Sequence, residues 1–280
     1  MQGKTVVITG ATSGIGEVAA CQLAEAGARI VLIARDRARG AQTLQRLESI
    51  APGRNHTVHY ANLSRLTEMK RVAEAVAASE AQIDVLINNA GAVFATRQVT
   101  GDALELTFAT NHIAYFVVTH LLLERIRATP GARIVCTASD AHKRAKLDFD
   151  DLTFERGYSG FAMYGRSKLM NILFTRELAR RLEGTGVTAN ALHPGFVNTR
   201  FGEANGGLMS LALRGAKRFA LTPEDGAKTL VYLATSAEVA GVSGKYFHDC
   251  KPVAPTPEAQ NDADARRLWD VSAQVAGLAD

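Results

Sequence analysis

Short apolar runs alternate along the chain with longer segments whose apolar residues recur every three or four positions. The short runs predict strands and the longer segments predict amphipathic helices. Several of the runs are apolar at consecutive positions, which is typical of parallel strands covered on both faces. Six strands are predicted: Thr5 to Thr9, Arg29 to Ile33, Thr57 to Ala61, Val85 to Ile87, Arg133 to Thr137 and Val187 to Leu192.

The helical segments lie between these strands, and they begin near Gly14, Arg37, Arg65, Asp102 and Phe161. Such β-α alternation favours a parallel sheet with right-handed crossovers and helices on both faces. The chain has no Pro- or Ser-rich linker and no internal repeat, so we expect one α/β domain over residues 1–280. Residues 140–160 and 200–222 interrupt the alternation, and each segment follows a strand, where functional loops of such sheets gather.

The composition narrows the class of protein. A hydrophobic content of 47% with 21% charged residues is that of an ordinary globular protein. The net charge of +4 comes from basic and acidic residues that are interspersed rather than clustered. This distribution argues against a nucleic-acid surface and suits a small anionic ligand.

Targeting signals and cysteines bear on the compartment. The three cysteines, Cys21, Cys136 and Cys250, are too widely spaced for a disulfide framework or a Cys-x-x-Cys metal site. The first predicted strand begins at Thr5, which leaves no room for a signal peptide, and no apolar stretch reaches the ~20 residues of a membrane span. We therefore expect a soluble cytoplasmic protein without a membrane span.

A glycine-rich turn, from Thr9 to Gly16, follows the first strand directly and opens the first helix. Glycines allow a tight turn and close approach to a pyrophosphate, and the positive end of the helix dipole attracts it. A glycine-rich turn alone is a weak signal, but its position at the first strand-to-helix junction predicts a dinucleotide site.

The end of the second strand bears on the choice of dinucleotide. Asp36 could bind the adenine-ribose hydroxyls of NAD, whereas Arg35 offers a planar cation for the 2′-phosphate of NADP. Ser13 could donate its hydroxyl to the same phosphate. We expect NADP(H) to be favoured over NAD(H). In the alternative interpretation, Arg35 is merely solvated and Asp36 binds the ribose.

Candidate acid–base chemistry lies near the start of the last predicted helix. Tyr164 and Lys168 are four residues apart and so share one helical face. An ammonium and a cationic nicotinamide would both favour the phenolate and make the phenol usable for proton transfer. Ser139 at a strand end, Asn111 within a helix and the segment from Asn88 to Gly91 are expected at the same sheet edge.

With these residues together, the chain resembles the short-chain dehydrogenase/reductase family, specifically its retinol-dehydrogenase-related branch. The resemblance covers nearly the whole chain. It implies a doubly wound Rossmann domain with a mostly parallel seven-stranded sheet and helices on both faces. The matching segments are Thr9 to Gly16, Asn88 to Gly91, Asn111-His112, Ser139, Tyr164 to Lys168, His193 to Thr199 and Arg267 to Asp270.

The resemblance also implies roles for matched residues. Ser139 would bind the substrate oxygen, Tyr164 would be the general acid/base, Lys168 would hold the nicotinamide ribose and lower the pKa of Tyr164, and Asn111 would anchor a relay water. The expected cofactor-binding residues are Gly10, Thr12, Ser13, Gly14, Ile15, Gly16, Arg35, Asn62, Leu63, Asn89, Ala90, Gly91, Tyr164, Lys168, Pro194, Gly195, Val197 and Thr199. A homodimer or homotetramer would be built on the helices after Asp102 and Phe161.

At three places the chain departs from the family pattern, and these departures limit how far the family's residue roles apply to it. Asn62 replaces the usual Asp, although its amide oxygen can still accept a bond from adenine. Thr137-Ala138-Ser139 replaces the more usual paired serines, with Ser139 in the catalytic place. The membrane-anchoring amino-terminal segment of many retinoid enzymes is absent, which weakens the case for a retinoid substrate.

Other interpretations compete. No metal is expected, because His112, His142 and His193 lack ligand spacing and are interpreted as packing or loop histidines. A nucleotide-sugar epimerase would need a larger carboxyl-terminal region. The main alternative to an enzyme that interconverts an alcohol with a ketone or aldehyde is a protein that senses NADPH without turnover.

The segment 200–222 bears on the substrate. It is rich in glycine and in large apolar residues and follows the expected nicotinamide pocket, so it is interpreted as a lid that favours lipophilic substrates. An ordinary surface helix is the alternative.

Overall fold

The computed structural model describes residues 1–197 and 221–278. Thr199 and all but the last two residues of the expected lid lie outside these ranges, so both remain predictions. Eight strands form one sheet: β1 Thr5–Thr9, β2 Arg29–Ala34, β3 Thr57–Tyr60, β4 Val85–Asn88, β5 Arg133–Thr137, β6 Thr188–His193, β7 Tyr246–His248 and β8 Lys251–Val253.

Seven α-helices of more than one turn lie in the described ranges: α1 Gly14–Glu25, α2 Arg37–Ile50, α3 Leu66–Ser79, α4 Ala114–Arg127, α5 Gly160–Arg181, α6 Pro223–Thr235 and α7 Asp262–Ala276. A short turn, Leu106–Phe108, and a π-helical turn, Ala109–Ile113, lead directly into α4.

The strand order is β3-β2-β1-β4-β5-β6-β7-β8, and the first seven strands are parallel to one another. β1 pairs with β2 on one side and with β4 on the other, so the winding reverses there. In such open sheets the ligand crevice lies beyond the carboxyl ends of the strands at this point. The predicted doubly wound α/β fold is confirmed, and the glycine-rich turn after Thr9 opens at the crevice.

The sheet separates two apolar cores. Val7, Val31 and Ile134 lie in one core with buried residues of α3, α4, α5 and α7. Val6 and Ile30 lie in the other core with residues of α1 and α6. Each central strand thus buries both faces, which explains the consecutive apolar residues in its sequence.

Two features differ from the expected fold. The helix predicted near Asp102 begins at Leu106, because Glu105 is the residue that caps it, by accepting from Phe108 N at 2.7 Å. The Asp102 carboxylate instead accepts from Leu66 N at 2.9 Å, at the start of α3. An eighth strand, β8, extends the expected seven-stranded sheet as an antiparallel edge. Its three exposed residues include Pro252, which is typical of edge strands and gives no apolar run to detect.

One helical segment is apolar enough to raise the question of a membrane. Within the described ranges, Leu106–Arg127 has the length and hydropathy of a membrane span, so the expectation that no stretch reaches that length was wrong. However, 72% of its most apolar window is buried inside the fold, as in the core helix of a globular protein.

The carboxyl-terminal helix α7 covers part of the surface on which an oligomer was expected. It packs along α5 and, through Trp269, contacts Phe116 on α4 and Phe174 on α5. The homodimer or homotetramer remains a prediction, and such an interface would have to use the part of these helices that α7 leaves free.

Candidate active site

The glycine-rich turn packs closely against the loop after β4. Gly10 has a φ of +70°, and a Cβ there would lie 2.7 Å from Ala90 Cα. Gly16 is tighter still, because its Cβ would overlap the carbonyl oxygen of Gly10. A side chain at either position would push the turn away from the sheet, so the close approach requires glycine.

The amino terminus of α1 fits an anionic group. Ser13 precedes the helix in an extended conformation and does not cap it with its side chain. The first backbone N–H groups of α1 and the positive end of its dipole therefore face the crevice where a pyrophosphate would lie. This chemistry suits the dinucleotide expected from the sequence.

Hydrogen bonds tie three strand ends together at the crevice. Thr9 Oγ1 accepts from the backbone N–H groups of Asn89 and Ala90, both at 3.0 Å. The Asn89 amide donates to the carbonyl of Gly10 at 3.1 Å and accepts from Thr137 Oγ1 at 3.3 Å. The ends of β1, β4 and β5 thus form one framework around the predicted site.

The two residues at the end of β2 differ in their roles. The Asp36 carboxylate accepts from Arg39 N at 3.0 Å and caps α2, and this bond holds the pKa of Asp36 below its usual value. Arg35 is exposed beside it. The acidic side chain is therefore already engaged at the helix terminus.

Asn62 forms a local turn beyond β3. Its side-chain oxygen accepts from Ser64 N at 3.1 Å and from Ser64 Oγ at 2.9 Å. These two bonds use both lone pairs of the oxygen that was expected to accept from adenine. The contact of Asn62 and Leu63 with adenine stays a prediction, and the amide N–H₂ of Asn62 is the group left to make it.

Tyr164, Lys168 and Ser139 come together at the carboxyl end of β5. The Lys168 ammonium lies 5.6 Å from the centre of the Tyr164 ring and donates to the carbonyl of Thr137 at 3.0 Å. The Ser139 hydroxyl lies close enough to the Tyr164 phenol to lower the pKa of Tyr164. The helix periodicity predicted the shared face of Tyr164 and Lys168, and the sheet topology brings Ser139 to it.

Burial dominates the electrostatics of this group. Desolvation raises the pKa of Tyr164 to about 12, and the nearby Ser139 hydroxyl opposes the shift only in part. Burial also lowers the pKa of Lys168 to about 8. We expected Lys168 to lower the pKa of Tyr164, but the residues of the chain by themselves raise it. Near neutrality the phenol is protonated beside an ammonium.

Asn111 lies in the π-helical turn rather than in a regular helix. Its side-chain oxygen accepts from Ala92 N at 2.8 Å, and its amide donates to the Ala92 carbonyl at 2.9 Å and to Ser167 Oγ at 3.0 Å. Asn111 is fully buried. The turn therefore joins the loop after β4 to the helix that carries Tyr164 and Lys168, and π-turns of this kind often mark functional sites.

The segment after β6 forms another wall of the crevice. Gly195, after Pro194, has a φ of +84°, which favours glycine. A Cβ on Gly226 of α6 would meet both Val197 and Ile15 at under 3 Å. The two expected cofactor-binding residues Val197 and Ile15 therefore both approach the space beside one helical glycine, next to the glycine-rich turn.

Two histidines were not expected at the site. The sequence interpretation gave His142 and His193 packing or loop roles, but both rings are hydrogen-bonded to backbone atoms next to Ser139. The only sequence signal for them is their nearness to Ser139 and to Pro194-Gly195. Among the described residues, no group of three His, Cys, Asp or Glu side chains is placed to hold a metal ion.

Comparison with known proteins places this geometry in a family. The short chain dehydrogenase family matches residues 4–206. Human retinol dehydrogenase 14 is 42% identical, with 99% of this chain and 88% of that protein covered. Human retinol dehydrogenase 12 is 40% identical, with 99% and 88% covered.

Solved structures agree with this assignment. A protein from Mycobacterium paratuberculosis of uncharacterised function is similar with a TM-score of 0.79 and 30% identity, over 99% of this chain and 94% of that chain. A short chain dehydrogenase from Burkholderia cenocepacia in complex with NADP has a TM-score of 0.71 and 26% identity, over 88% and 96%. The chain therefore belongs to the short-chain dehydrogenase/reductase family, as a retinol-dehydrogenase-like, NAD(P)-dependent oxidoreductase that acts on alcohols and carbonyl compounds.

Proposed function

We propose that the protein uses NADP(H) to interconvert lipophilic alcohols with their ketones or aldehydes, with Tyr164 as the general acid/base. The observation that carries the proposal is the grouping of the Tyr164 phenol, the Ser139 hydroxyl and the Lys168 ammonium at the carboxyl end of β5. A protein that only senses NADPH has no need of this grouping.

The preference for NADP(H) is supported at the end of β2. Asp36 caps α2 through one of its carboxylate oxygens, which gives this residue a structural role that does not need a ribose. Arg35 is exposed, and Ser13 does not cap α1, so a guanidinium and a hydroxyl are available for a 2′-phosphate. One structural relative, the Burkholderia cenocepacia enzyme, is described in complex with NADP.

When bound, a nicotinamide cofactor would supply the hydride for reduction and would accept it for oxidation. In the direction of reduction, Ser139 would hydrogen-bond the carbonyl oxygen and Tyr164 would donate its proton to that oxygen. The raised pKa of Tyr164 keeps this proton in place at neutral pH. Lys168 would hold the nicotinamide ribose, and Asn111 would anchor the water that returns a proton.

A lipophilic substrate is supported by the surroundings of Tyr164. Phe161, one turn earlier on α5, is 55% exposed, and its ring centre lies 6.4 Å from that of Tyr164. Phe196, next to the expected nicotinamide pocket, is also exposed. Exposed aromatic side chains beside a reacting group suit an apolar substrate. The relatives are named for retinol, a lipophilic alcohol.

The test is a turnover screen of aliphatic and aromatic aldehydes and ketones with NADPH, with cofactor binding measured in parallel. We expect NADPH oxidation that depends on the carbonyl compound. Tight NADPH binding with no turnover across the whole panel would favour the alternative, a sensor of NADPH. Equal rates with charged sugars and with apolar carbonyls would contradict the lipophilic substrate class but not the oxidoreductase activity itself.

A further inference from the structure

The peptide unit between Ser139 and Asp140 is bound at both of its polar ends by imidazole rings. The carbonyl oxygen of Ser139 lies 2.7 Å from His142 Nδ1. The N–H of Asp140 donates to His193 Nδ1 at 3.3 Å. One ring comes from the turn after β5 and the other from the end of β6, so two elements hold the same peptide.

The partners of each ring define its tautomer. A carbonyl only accepts, so His142 must carry its proton on Nδ1, and its Nε2 then accepts from Thr256 N at 3.4 Å. His193 must keep its lone pair on Nδ1 to accept from Asp140 N, which leaves its proton on Nε2, 3.9 Å from the Asp140 carboxylate. The two neutral rings thus have opposite tautomers, and each suits one end of the peptide.

The surroundings keep both rings neutral and the peptide fixed. Burial lowers the pKa of His193 to about 4; the Asp140 carboxylate opposes this shift, and His248 and Lys143 add to it. Burial also lowers the pKa of His142, which is fully buried. The Asp140 side chain is anchored by Tyr246 on β7, whose hydroxyl donates at 3.1 Å, and by Lys143 at 2.7 Å.

The peptide between Ser139 and Asp140 directly follows the residue whose hydroxyl would bind the substrate. The Ser139 hydroxyl accepts from Ala141 N at 3.2 Å, so a displacement of this peptide would shift the Ala141 N–H and with it the hydroxyl that it holds relative to the Tyr164 phenol. Misplacement of a reacting group by about 1 Å can reduce a rate by about a hundredfold. We propose that His142 and His193 are positioning residues that orient Ser139 toward the substrate oxygen, an inference that rests on the proposed oxidoreductase function.

The test exploits the different reach of Asn and Gln. An Asn side chain places its amide near the position of an imidazole Nδ1, so His142→Asn keeps a donor and His193→Asn keeps an acceptor. Gln places the same groups one methylene further out, and Leu removes them. Each variant is made in the wild-type and Ser139→Ala backgrounds, and kcat, KM for the carbonyl substrate, NADPH affinity and thermal unfolding are measured.

We expect the Leu and Gln variants to lose about tenfold to a hundredfold in kcat while NADPH affinity stays within about twofold. The Asn variants should recover most of the loss. In the Ser139→Ala background, the same substitutions should have little further effect, because the hydroxyl that they orient is already gone. If a Leu variant does not fold, the comparison of Asn with Gln carries the test.

Equal losses in the Ser139→Ala and wild-type backgrounds would overturn the inference, since the histidines would then act on stability or on another group. Asn variants no better than Gln variants would also overturn it. A wild-type protein that binds NADPH but turns over no carbonyl compound would instead contradict the proposed function, and this inference with it.

Discussion

The Asp36 carboxylate accepts a hydrogen bond from the backbone N–H of Arg39 at 3.0 Å, and so the acidic residue at the end of β2 caps a helix. Arg35 is exposed beside it, and the proposed preference for NADP(H) assigns the 2′-phosphate to this guanidinium. A carboxylate that caps a helix stabilises that helix, and this effect does not depend on which cofactor binds.

The first prediction follows from this pair of residues. Arg35→Ala should lower kcat/KM for NADPH by about tenfold to a hundredfold, because a charge-assisted contact to the 2′-phosphate is lost. The value for NADH should change little. Steady-state kinetics with both cofactors measures the effect.

The matched control is Asp36→Ala. It should lower the unfolding midpoint by removing the cap of α2 but leave the preference for NADPH in place. Equal efficiency of both cofactors in the wild type, unchanged in Arg35→Ala, would contradict the assignment.

The second prediction concerns substrate chain length. Each methylene buried by a substrate is worth about 0.8 kcal/mol, so kcat/KM should rise about threefold to fourfold per carbon in a series of aliphatic aldehydes. The rise should be weaker in Phe161→Ser and largely kept in Phe161→Leu, which retains an apolar side chain beside Tyr164. A flat series in the wild type would count against a lipophilic substrate.

The third prediction concerns the attachment of α7. The Trp269 ring packs with centroid distances of 4.9 Å to Phe116 and 5.8 Å to Phe174, and it is almost completely buried. Trp269→Ala should reduce the free energy of unfolding by about 3–5 kcal/mol. Arg266→Ala, at an exposed position of the same helix, should change it by less than about 0.5 kcal/mol.

Urea denaturation at fixed protein concentration measures both variants. If the two lost the same small amount of stability, α7 would not be an integral part of the core.

The fourth prediction is a pH dependence of stability. Burial lowers the pKa of His112 to about 4 from an ordinary 6.5, so the unfolded chain binds a proton that the folded protein rejects. Stability from this group is therefore present above pH 6.5 and is lost as the pH falls toward 4, by about 2 kcal/mol between pH 7 and pH 5.

His112→Gln isolates this effect. His112 Nε2 lies 2.8 Å from Ser272 Oγ, which itself donates to Leu268, so the ring nitrogen is the donor. Gln can keep that donor but does not titrate. The variant should lose less stability than the wild type between pH 7 and pH 5, whatever its stability at pH 7. Parallel losses would mean that other groups carry the acid sensitivity.

The sequence predicted the strands well because each central strand is covered on both faces. Its consecutive apolar residues are therefore visible without knowledge of the fold. The helix near Asp102 begins later than predicted because Glu105 caps it, while the Asp102 carboxylate contacts Leu66, far away in the chain. β8 offered no apolar run.

At the site, motif spacing predicted the shared helical face of Tyr164 and Lys168, and the position of Ser139 at a strand end predicted that it lies at the same sheet edge. The family resemblance added the role of Ser139. The roles of His142 and His193 could not be predicted, because the tautomer of an imidazole depends on partners that only the folded chain brings to it. The same holds for the pKa of Tyr164, where burial outweighs the neighbouring charge.

The central claim is that Tyr164 transfers the proton during NADPH-dependent carbonyl reduction. The most direct test is to measure kcat and NADPH affinity of Tyr164→Phe, which removes only the hydroxyl. We predict a loss of about 10²- to 10⁴-fold in kcat, typical of general acid–base catalysis, with NADPH binding retained. A Tyr164→Phe protein that binds NADPH and keeps most of its activity would contradict the account.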